Sequence, residues 1–317
     1  MINTLREALF GETLELDWSK YQWLDKFLSG LPTNPDTMAH SAAYFLHTGR
    51  KGLYLVRRQK YYALVAAHPN IENTALVLPA GGSPAPELWH DLCLSISEKG
   101  LNASLGRVPD TLAQLVESRD EFKLVVERKL DWRYPVTVVD NRKLSKLNGG
   151  EYSHYRRKIR RATSRGAICI VDQLSPTYAE LEEPVLRMIE RWARTVSAIK
   201  DFDVEHLISS NLSAYRLGFL KKYQINCRVY LSSGGVIGLC ATELKNSGNT
   251  ANGIAMCVDR SWTGCSEFMY WTEANELLRQ GYLLYNINGS ETQSLNEFRS
   301  KLRPTDQIPL HTYQLRN

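Results

Sequence analysis

Hydrophobic residues recur along the chain with two periods, one typical of helices and one typical of strands. Between residues 16 and 48 the apolar positions follow a three-to-four spacing that Pro32 and Pro35 interrupt, so we expect two helices there. Three short apolar strands follow, and a tight turn at Gln59-Lys60 joins the first two. The predicted strands are Gly52–Arg58, Tyr61–His68 and Thr74–Leu78.

The first half then continues with a helix, a strand, a short helix and a strand. Their predicted ranges are Pro86–Lys99, Leu101–Arg107, Pro109–Ser118 and Glu121–Lys129. The second half repeats this order. Its predicted elements are a basic helix ending at Gly166, a strand at Ala167–Asp172, helices at Tyr178–Thr195 and Val204–Lys222, strands at Gln224–Leu231, Val236–Lys245 and Thr250–Val258, a helix at Ser266–Gln280, a strand at Tyr282–Ile287, a helix at Thr292–Lys301 and a strand at Ile308–Leu315.

The two halves therefore repeat as architecture, although their sequences hardly match. Gly100 and Gly281 hold equivalent positions 181 residues apart, each just before the late strand of its half. The repeat predicts two domains, 1–135 and 136–317, with the boundary inside the segment 131–141.

Positive charge is concentrated where the second half begins. Nine Lys and Arg residues and one acid, Glu151, lie between Arg142 and Arg165, so this segment carries +8 in a chain whose total is +5. Four apolar residues of the segment recur at helical spacing, namely Tyr152, Tyr155, Ile159 and Ala162. A helix that buries this stripe leaves the cations outside. Such a surface favours a polyanionic partner, with a merely solvated helix as the alternative.

Composition narrows the class of protein. Hydrophobic content of 43% and charged content of 23% are typical of a soluble globular protein, and no apolar run approaches the ~18 residues that span a bilayer. The six cysteines are widely spaced, and Cys169 and Cys240 lie in apolar runs, as reduced core cysteines do. The seven histidines show no zinc-ligand spacing. We expect a cytoplasmic protein without a metal.

Two segments carry a resemblance to a known family. The order of elements in each half is that of the GNAT acyltransferase fold, and segment 144–166 (LSKLNGGEYSHYRRKIRRATSRG) resembles part of the soluble C-terminal domain of phosphatidylglycerol lysyltransferase-like proteins. Segment 285–304 (YNINGSETQSLNEFRSKLRP) resembles the closing motif of the same proteins. The motif residues are Leu295, Phe298, Arg299, Lys301 and Pro304. Fem-type aminoacyltransferases are similar in architecture.

The resemblance implies an α+β or α/β protein of two tandem GNAT-like domains, each a mixed central sheet flanked by helices. It also implies an acyltransferase that moves an aminoacyl group from aminoacyl-tRNA to an amine or hydroxyl, with no cofactor. The cationic side chains would then follow the phosphates of the tRNA acceptor end. The candidates are Lys143, Lys146, Arg156, Arg157, Lys158, Arg160, Arg161, Arg165, Arg299 and Arg303.

The resemblance also suggests residues for the chemistry. Lys301 is expected to meet the 3′-terminal phosphate or the developing oxyanion, with a solvated helix end as the alternative. The loop after Tyr282–Ile287 lies where GNAT sheets splay and the acyl group enters. There Glu291 is a candidate to take the proton of the acceptor, and Asn288 or Ser290 to orient it, although an ordinary turn and helix cap has the same composition.

One position departs from the family pattern. Family members carry an Asp three residues before an Arg at the end of the fourth strand, whereas Cys257 stands here three residues before Arg260. The missing carboxylate argues against lysine as the transferred group and favours a small or neutral acyl group. Cys257, Arg260 and Trp262 are therefore the candidates for the acyl pocket, with a core position as the alternative for Trp262.

Neither half carries a convincing turn for the pyrophosphate of acyl-CoA, which ordinary GNAT enzymes bind at a glycine-rich helix start. Segment 260–265 has a single glycine and a bulky Trp262, and segment 80–84 has no basic residue. We therefore rank aminoacyl-tRNA as donor above acyl-CoA, and a catalytically dead binder of RNA or anionic membrane third. A chain without membrane spans suggests a small-molecule or peptide acceptor, as in secondary-metabolite tailoring.

Overall fold

Two mixed β-sheets organise the chain. The computed structural model describes residues 1–49, 51–68, 71–125, 134–200, 203–220, 224–245 and 248–316, except for the side chains of residues 199 and 200. The first compact unit comprises Met1–Val136, Gly289–Asn296 and Gln307–Asn317. The second comprises Thr137–Asn288 and Glu297–Asp306.

The helices and strands alternate as the two hydrophobic periods predict. In the first half they are α1 (Ile2–Ala8), β1 (Glu12–Glu15), α2 (Tyr21–Ser29), α3 (Ala42–Thr48), β2 (Leu53–Arg58), β3 (Tyr61–Ala67), β4 (Thr74–Pro79), α4 (Pro86–Glu98), β5 (Asn102–Pro109), α5 (Asp110–Glu117) and β6 (Phe122–Leu124). They continue with β7 (Val136–Asp140), α6 (Asn141–Lys146), α7 (Ser153–Ser164), β8 (Cys169–Asp172), α8 (Glu182–Lys200) and α9 (Val204–Leu217). The last elements are β9 (Ile225–Ser232), β10 (Gly235–Glu243), β11 (Thr250–Val258), α10 (Cys265–Arg279), β12 (Leu284–Asn286), α11 (Gln293–Ser300), β13 (Asp306–Ile308) and β14 (Leu310–Leu315).

Within the described residues each sheet has seven strands, and the two strand orders correspond. The first sheet runs β1-β2-β3-β4-β5-β14-β6, and the second, read in the same sense, runs β8-β9-β10-β11-β12-β7-β13. In each sheet a meander of antiparallel strands leads to one parallel pair, β4 with β5 and β11 with β12. The fold is therefore two GNAT-like sheets in tandem, as predicted.

The sixth position of the first sheet is filled by a strand from far along the chain. The C-terminal strand β14 pairs with β5 on one side and with β6 on the other, both antiparallel. The sequence prediction assigned this strand to the second domain, 136–317. The equivalent position in the second sheet belongs to β7, which precedes the rest of that sheet in the chain.

Several elements differ from the prediction. Strands β1 and β7 and helix α6 were not expected, and β7 lies where the domain boundary was placed because the short run 136–140 was interpreted as linker. The predicted closing strand is divided by Pro309, which has no N–H group to donate, into β13 and β14 of different sheets. Residues 126–129 and 221–222, which end two predicted elements, lie outside the described residues.

The cysteine prediction was half right. Cys240 is 1% exposed in β10, and burial raises the pKa of its thiol well above the usual value. Cys169 is exposed, however, because β8 is an edge strand of its sheet and only Val171 of this strand is buried. The apolar run identified the strand correctly but not its position at the edge.

A buried ion pair lies between the second sheet and helix α10. Nη1 of Arg228 in β9 lies 2.6 Å from Oε2 of Glu273 in α10, and their side chains are only 8% and 1% exposed. Thr242 of β10 donates to the other carboxylate oxygen of Glu273 at 2.9 Å. Burial alone would lower the pKa of Arg228, but the Glu273 charge outweighs it and the pKa is raised. This pair fixes α10 on the sheet.

We expect Glu273→Ala to lower the free energy of unfolding by about 3 kcal/mol, because it removes the carboxylate that is paired with the buried Arg228 guanidinium. Urea denaturation of the purified protein measures this loss. The matched control is Glu183→Ala, which removes the exposed partner of Arg187 and should cost less than about 1 kcal/mol. Equal losses in the two variants would contradict a dominant role of the buried pair.

Candidate functional site

The parallel strands of the second sheet separate at one defined point. Strands β11 and β12 pair from Thr250–Leu284 to Asn252–Asn286, and no further pair follows within the described residues. Two residues beyond the last pair, Asn288 adopts φ +67°, a left-handed conformation that asparagine tolerates better than most residues. The strands therefore part between Gly253 and Asn288, and we call this opening the β11–β12 gap.

The side chain of Asn288 spans the gap. Its Nδ2 donates to the carbonyl oxygen of Gly253 at 2.7 Å, where the ladder of main-chain bonds has ended. Its main-chain N–H donates to Oδ1 of Asn286 at 3.0 Å. Its carbonyl oxygen accepts from Thr137 N at 3.1 Å and from Nη1 of Arg299 at 2.8 Å. Asn288 is thus held from both sides of the gap and from helix α11.

A β-bulge lies on the same stretch of β11. The register with β10 shifts between Ala241, which faces Ala255, and Thr242, which faces Gly253, so Ile254 is the extra residue. The extra residue of a bulge is left out of the ladder. The main chain at Ile254 is therefore released from β10 next to the place where β12 diverges.

The first sheet contains an equivalent gap that is filled differently. Strands β4 and β5 pair as far as Val77–Leu105, and Arg107, two residues further, adopts φ +58°. Arg107 follows Gly100 by seven residues, as Asn288 follows Gly281. The predicted repeat therefore extends to backbone conformation.

The Arg107 side chain occupies the first gap region as part of an ion pair. Its guanidinium, 6% exposed, donates to the carboxylate of Asp36, which is 2% exposed. The same guanidinium lies over the ring of Tyr44, 4.2 Å from its centroid. Because this cation is buried and paired, the β11–β12 gap of the second sheet is the candidate site for acyl chemistry.

The predicted catalytic residues fall in different surroundings. Lys301 is exposed at the end of α11, and its side chain makes no hydrogen bond or ion pair with the described residues. Ser290 is fully buried, and its carbonyl oxygen accepts from Tyr134 N at 3.0 Å. Glu291 is partly buried. Ser290 and Glu291 are grouped with the first unit, whereas Asn288 and Lys301 belong to the second.

The predicted capping role in this loop belongs to a neighbouring residue. Thr292 Oγ1 accepts from Leu295 N at 3.3 Å and thereby caps helix α11. Arg299 of that helix is partly buried and donates to Asn288, while Arg303 is exposed with φ +56°. The closing motif therefore contributes one cation to the gap and two to the surface, Lys301 and Arg303.

Helix α7 buries the predicted stripe and exposes most of its cations. The stripe residues are 0–9% exposed and face α10 and the sheet. Arg157, Arg160, Arg161 and Arg165 are exposed and Lys158 is partly buried. Lys143 and Lys146 are exposed on α6. We call these seven residues, with Arg156, the basic surface.

One member of the basic surface has a structural role that the sequence did not indicate. Arg156 Nη1 donates to the carbonyl oxygens of Leu147 and Gly149, the latter at 2.8 Å. Leu147 and Gly149 adopt φ values of +49° and +91°, so the guanidinium holds a tightly turned loop in front of α7. A contact of Arg156 with a polyanion stays a prediction.

The main chain of α7 lies directly on the beginning of α10. Gly264, the N-cap of α10, has φ +88°, and a Cβ at this position would lie 2.1 Å from the carbonyl oxygen of Lys158. Trp262 Nε1 donates to the carbonyl oxygen of Ala162 at 3.2 Å. The Arg165 guanidinium lies over the Trp262 ring at 4.7 Å. Trp262, a predicted pocket residue, thus joins two helices.

The turn before α10 already holds an anion, the carboxylate of Asp259. Oδ1 of Asp259 accepts from the N–H of Ser261 at 2.9 Å and from its hydroxyl at 2.7 Å. Burial raises the pKa of Asp259, but the Ser261 hydrogen bonds and Arg191 outweigh this and the pKa is lowered. The N–H groups of Trp262 and Cys265 donate to main-chain oxygens within the turn. An external pyrophosphate would find these donors engaged.

The glycine-rich loop of the first half is engaged as well. The Gly82 N–H donates to the Pro32 carbonyl oxygen at 2.8 Å, and the Gly81 carbonyl oxygen accepts from Asn34 Nδ2 at 2.8 Å. A Cβ on Gly82 would lie 2.2 Å from the Thr33 carbonyl oxygen. The glycines here allow close packing against a neighbouring segment.

The remaining predicted pocket residues lie near the end of β11. Arg260 is exposed. Cys257 is fully buried opposite Leu239 of β10, and burial raises the pKa of its thiol well above the usual value. Cys257 therefore behaves as a small core residue and does not replace a charged group.

Sequence reasoning missed a row of buried polar residues beside the gap. Glu243, Asn252 and Asn286 are all 0% exposed and occupy facing positions on β10, β11 and β12. Glu243 and Asn286 end mostly apolar strands and Asn252 lies near the start of another, and this is the sequence signal that could have identified them.

Two further properties concern the described residues as a whole. In that part of the chain no group of three His, Cys, Asp or Glu side chains is placed to hold a metal ion. None of the helices described is both long and apolar enough to cross a membrane.

Comparison with known proteins finds similarity in structure but not in sequence. No protein-family model matches the chain, and no curated protein matches it in sequence. A Bacteroides thetaiotaomicron protein of unknown function is similar over 97% of this chain and 100% of its own, with 11% identity and a TM-score of 0.72. L-PGS from Bacillus licheniformis is similar over 92% of this chain and 91% of its own, with 12% identity and a TM-score of 0.61.

A third similar structure is that of a tandem GNAT protein, the class that the sequence analysis predicted. A tandem GNAT protein from the clavulanic acid biosynthesis pathway, in a structure without AcCoA, is similar over 96% of this chain and 98% of its own, at 13% identity and a TM-score of 0.52. The predicted resemblance to tandem-GNAT and L-PGS-like proteins is therefore confirmed at the level of the fold.

The contact between α7 and α10 predicts that substitution by alanine has different effects on stability at two glycines of similar conformation. Gly264→Ala should destabilise the protein by roughly 3 kcal/mol or more, since the methyl group meets the Lys158 carbonyl oxygen as well as an unfavourable φ. Gly281 has φ +93°, but a Cβ at this position would have no atom within 4 Å, so Gly281→Ala should cost about 1 kcal/mol. Urea unfolding of both variants tests this, and similar losses would show that α7 does not rest on Gly264.

Proposed function

We propose that the chain transfers an aminoacyl group from aminoacyl-tRNA to an amine or hydroxyl of a small-molecule or peptide acceptor. The observation that carries this proposal is the packing of α7. Its main chain covers the start of α10 at Gly264, where a GNAT enzyme would bind CoA, and its outer face presents cations to solvent. The same helix thus disfavours one donor and favours another.

The exposed cations suit a polymer of phosphates. Arg157, Arg160 and Arg161 lie on one exposed face of α7, and α6 adds Lys143 and Lys146. Nucleic-acid affinity rises with the number of phosphates that such side chains neutralise, because each contact releases counterions. A row of this length exceeds what a single pyrophosphate group requires, whereas the acceptor end of a tRNA offers many phosphates.

Acyl-CoA is the weaker candidate for a physical reason. Binding of a pyrophosphate at a helix start needs free N–H groups and the positive end of the helix dipole. At α10 the Ser261 N–H is taken by Asp259, which also places a negative charge there. In the first half the Gly82 N–H is taken by the Pro32 carbonyl oxygen.

The β11–β12 gap is the proposed place of reaction. An acceptor amine would attack the ester carbonyl, forming a C–N bond, and the C–O bond to the ribose would break, with the proton of the amine passing to the ribose oxygen. The main-chain N–H group of Ile254, at the bulge, is the proposed donor to the oxyanion. Lys301, being exposed, fits the 3′-terminal phosphate better than the oxyanion. A role of Glu291 in taking the proton of the acceptor stays a prediction.

The first experiment is filter binding of the purified protein to total tRNA charged with one radiolabelled amino acid at a time, to deacylated tRNA and to a DNA duplex, at two salt concentrations. We expect one charged tRNA pool to bind more tightly than deacylated tRNA, and both to bind more tightly than duplex, with affinity falling as salt rises. Equal binding of tRNA and duplex, together with thermal stabilisation by acyl-CoA, would overturn the proposal.

Charge removal tests the basic surface directly. The triple variant Arg157→Ala, Arg160→Ala, Arg161→Ala should weaken tRNA binding by about tenfold or more and lower the salt dependence by roughly two to three counterions. The matched control removes three exposed lysines from the first half, with Lys26→Ala, Lys99→Ala and Lys123→Ala. It changes net charge equally and should bind tRNA nearly as the parent does. Equal weakening in both would indicate only a net-charge effect.

A further inference from the structure

The side-chain oxygen of Asn288 differs from the other polar groups of this residue. The Asn288 Nδ2 donates to Gly253, the main-chain N–H donates to Asn286, and the carbonyl oxygen accepts from Thr137 and Arg299. Oδ1, in contrast, is buried and has no hydrogen-bond partner among the described residues. A buried acceptor without a donor is destabilising, and a ligand that supplies the donor removes this cost.

The surroundings of Asn288 determine which atom of its amide is the oxygen. The Gly253 carbonyl oxygen can only accept a hydrogen bond, so the amide group that lies 2.7 Å from it is the NH₂ group. The reverse assignment would place two acceptors against each other. The atom without a partner is therefore an acceptor, and its complement is an N–H or O–H group. A carboxylate, a phosphate or an apolar acyl chain has no hydrogen to donate.

This oxygen lies at the β11–β12 gap, where the reaction is proposed to take place. Gly253 and Asn288, on the two sides of the gap, are partly exposed, whereas Asn252 and Ile287, which precede them in the chain, are buried. Because Oδ1 itself is covered, a donor reaches it by entering between the strands. The nucleophile is the part of the acceptor that must enter there, and it is also the part that carries exchangeable hydrogens.

The number of those hydrogens distinguishes the two classes of acceptor that the proposed function leaves open. When a primary amine attacks the ester, its nitrogen forms the C–N bond and the C–O bond to the ribose breaks. One of the two N–H protons passes to the ribose oxygen, and the other remains on the amide product. The remaining N–H can donate to Asn288 Oδ1 before, during and after the transfer.

A hydroxyl group cannot satisfy both requirements. It has a single hydrogen, and ester formation sends this hydrogen to the ribose oxygen that leaves. A hydroxyl that donates to Asn288 Oδ1 has turned its hydrogen toward an amide oxygen, which is too weak a base to remove it and cannot pass it on to the ribose. The acceptor oxygen of Asn288 is therefore matched to an amine.

We propose that the acceptor is a primary amine whose retained N–H donates to Asn288 Oδ1, so that the product is an amide and not an ester. This inference rests on the proposed function and commits its acceptor to one chemical class. It makes Asn288 a specificity-determining residue that contacts the nucleophile directly.

The first test identifies the bond that is formed. The protein is incubated with the radiolabelled charged tRNA pool that it retains most tightly and with the low-molecular-mass filtrate of an extract of the cells that produce it. Labelled product other than the free amino acid is isolated and treated with neutral hydroxylamine, which cleaves esters and leaves amides intact. We expect the product to survive this treatment.

The second test removes the proposed acceptor group from the same filtrate. Treatment with sulfosuccinimidyl acetate, followed by quenching, blocks primary amines and leaves alcohols free. We expect this treatment to abolish the transfer of label. A mock-treated filtrate, to which the already quenched reagent is added, should support transfer as the untreated filtrate does.

A glycine variant tests the role of Asn288 itself. Asn288→Gly removes the side chain but keeps the left-handed backbone, which glycine adopts at no steric cost. It should slow the discharge of charged tRNA by about tenfold or more at a fixed amount of filtrate, with tRNA binding unchanged and with partial recovery at higher filtrate concentration. The matched control is Asn73→Gly, at an exposed asparagine of the first half with φ +53°, which should discharge tRNA as the parent does.

The outcomes separate the two proposals. If no charged pool is discharged, the aminoacyl transfer fails and the amine acceptor fails with it. If label is transferred but the product is cleaved by hydroxylamine, or if transfer survives the blocking of amines, the function stands and the amine acceptor alone is overturned. Both of these results come from the parent protein and do not depend on any variant. An Asn288→Gly protein that melts as the parent does and shows the same dependence on filtrate would overturn the role of Asn288.

Discussion

The surface and the chemistry of the second unit both depend on one close contact, that of the α7 main chain with the start of α10. The Lys158 carbonyl oxygen lies where any side chain at position 264 would have to be. Glycine supplies both the room and the positive φ that the contact needs. Because α7 is held there, its apolar stripe is sealed against the core and most of its cations are exposed to solvent. The fixed position of one helix thus produces a persistent patch of positive charge.

The separation of the parallel strands is the second constraint, and both sheets share it. In each, a residue with left-handed backbone follows the last parallel pair, and in each the space beyond is polar. The first sheet satisfies this polarity internally, through Arg107 and Asp36. The second leaves Asn288 Oδ1 without a hydrogen-bond partner among the described residues. The two sheets therefore share a backbone conformation at this point and differ in the side chains beside it.

Periodicity predicted most of the fold because each element is decided by local contacts. The stripe of α7 and the β2–β3 hairpin are examples, and both agree with the structure. The place of β14 was beyond such reasoning, since pairing with β5 depends on residues about 200 positions away. At the site, charge density identified the basic surface, but the backbone contacts of Arg156 and the engaged turn at Asp259 could not be inferred from spacing. The buried Glu243 was visible only as a charged residue at the end of a mostly apolar strand.

The place of β14 also determines the order in which the molecule can be completed during synthesis. The second sheet is built from residues 136–308, whereas the first needs β14, which follows all of these strands in the sequence. Until then β5 and β6 are without the strand that joins them, and unpaired strand edges invite association with other chains. The half that is translated first is thus the half that finishes last. Its exposed edges set a period of vulnerability that ends only when β14 pairs with β5 and β6.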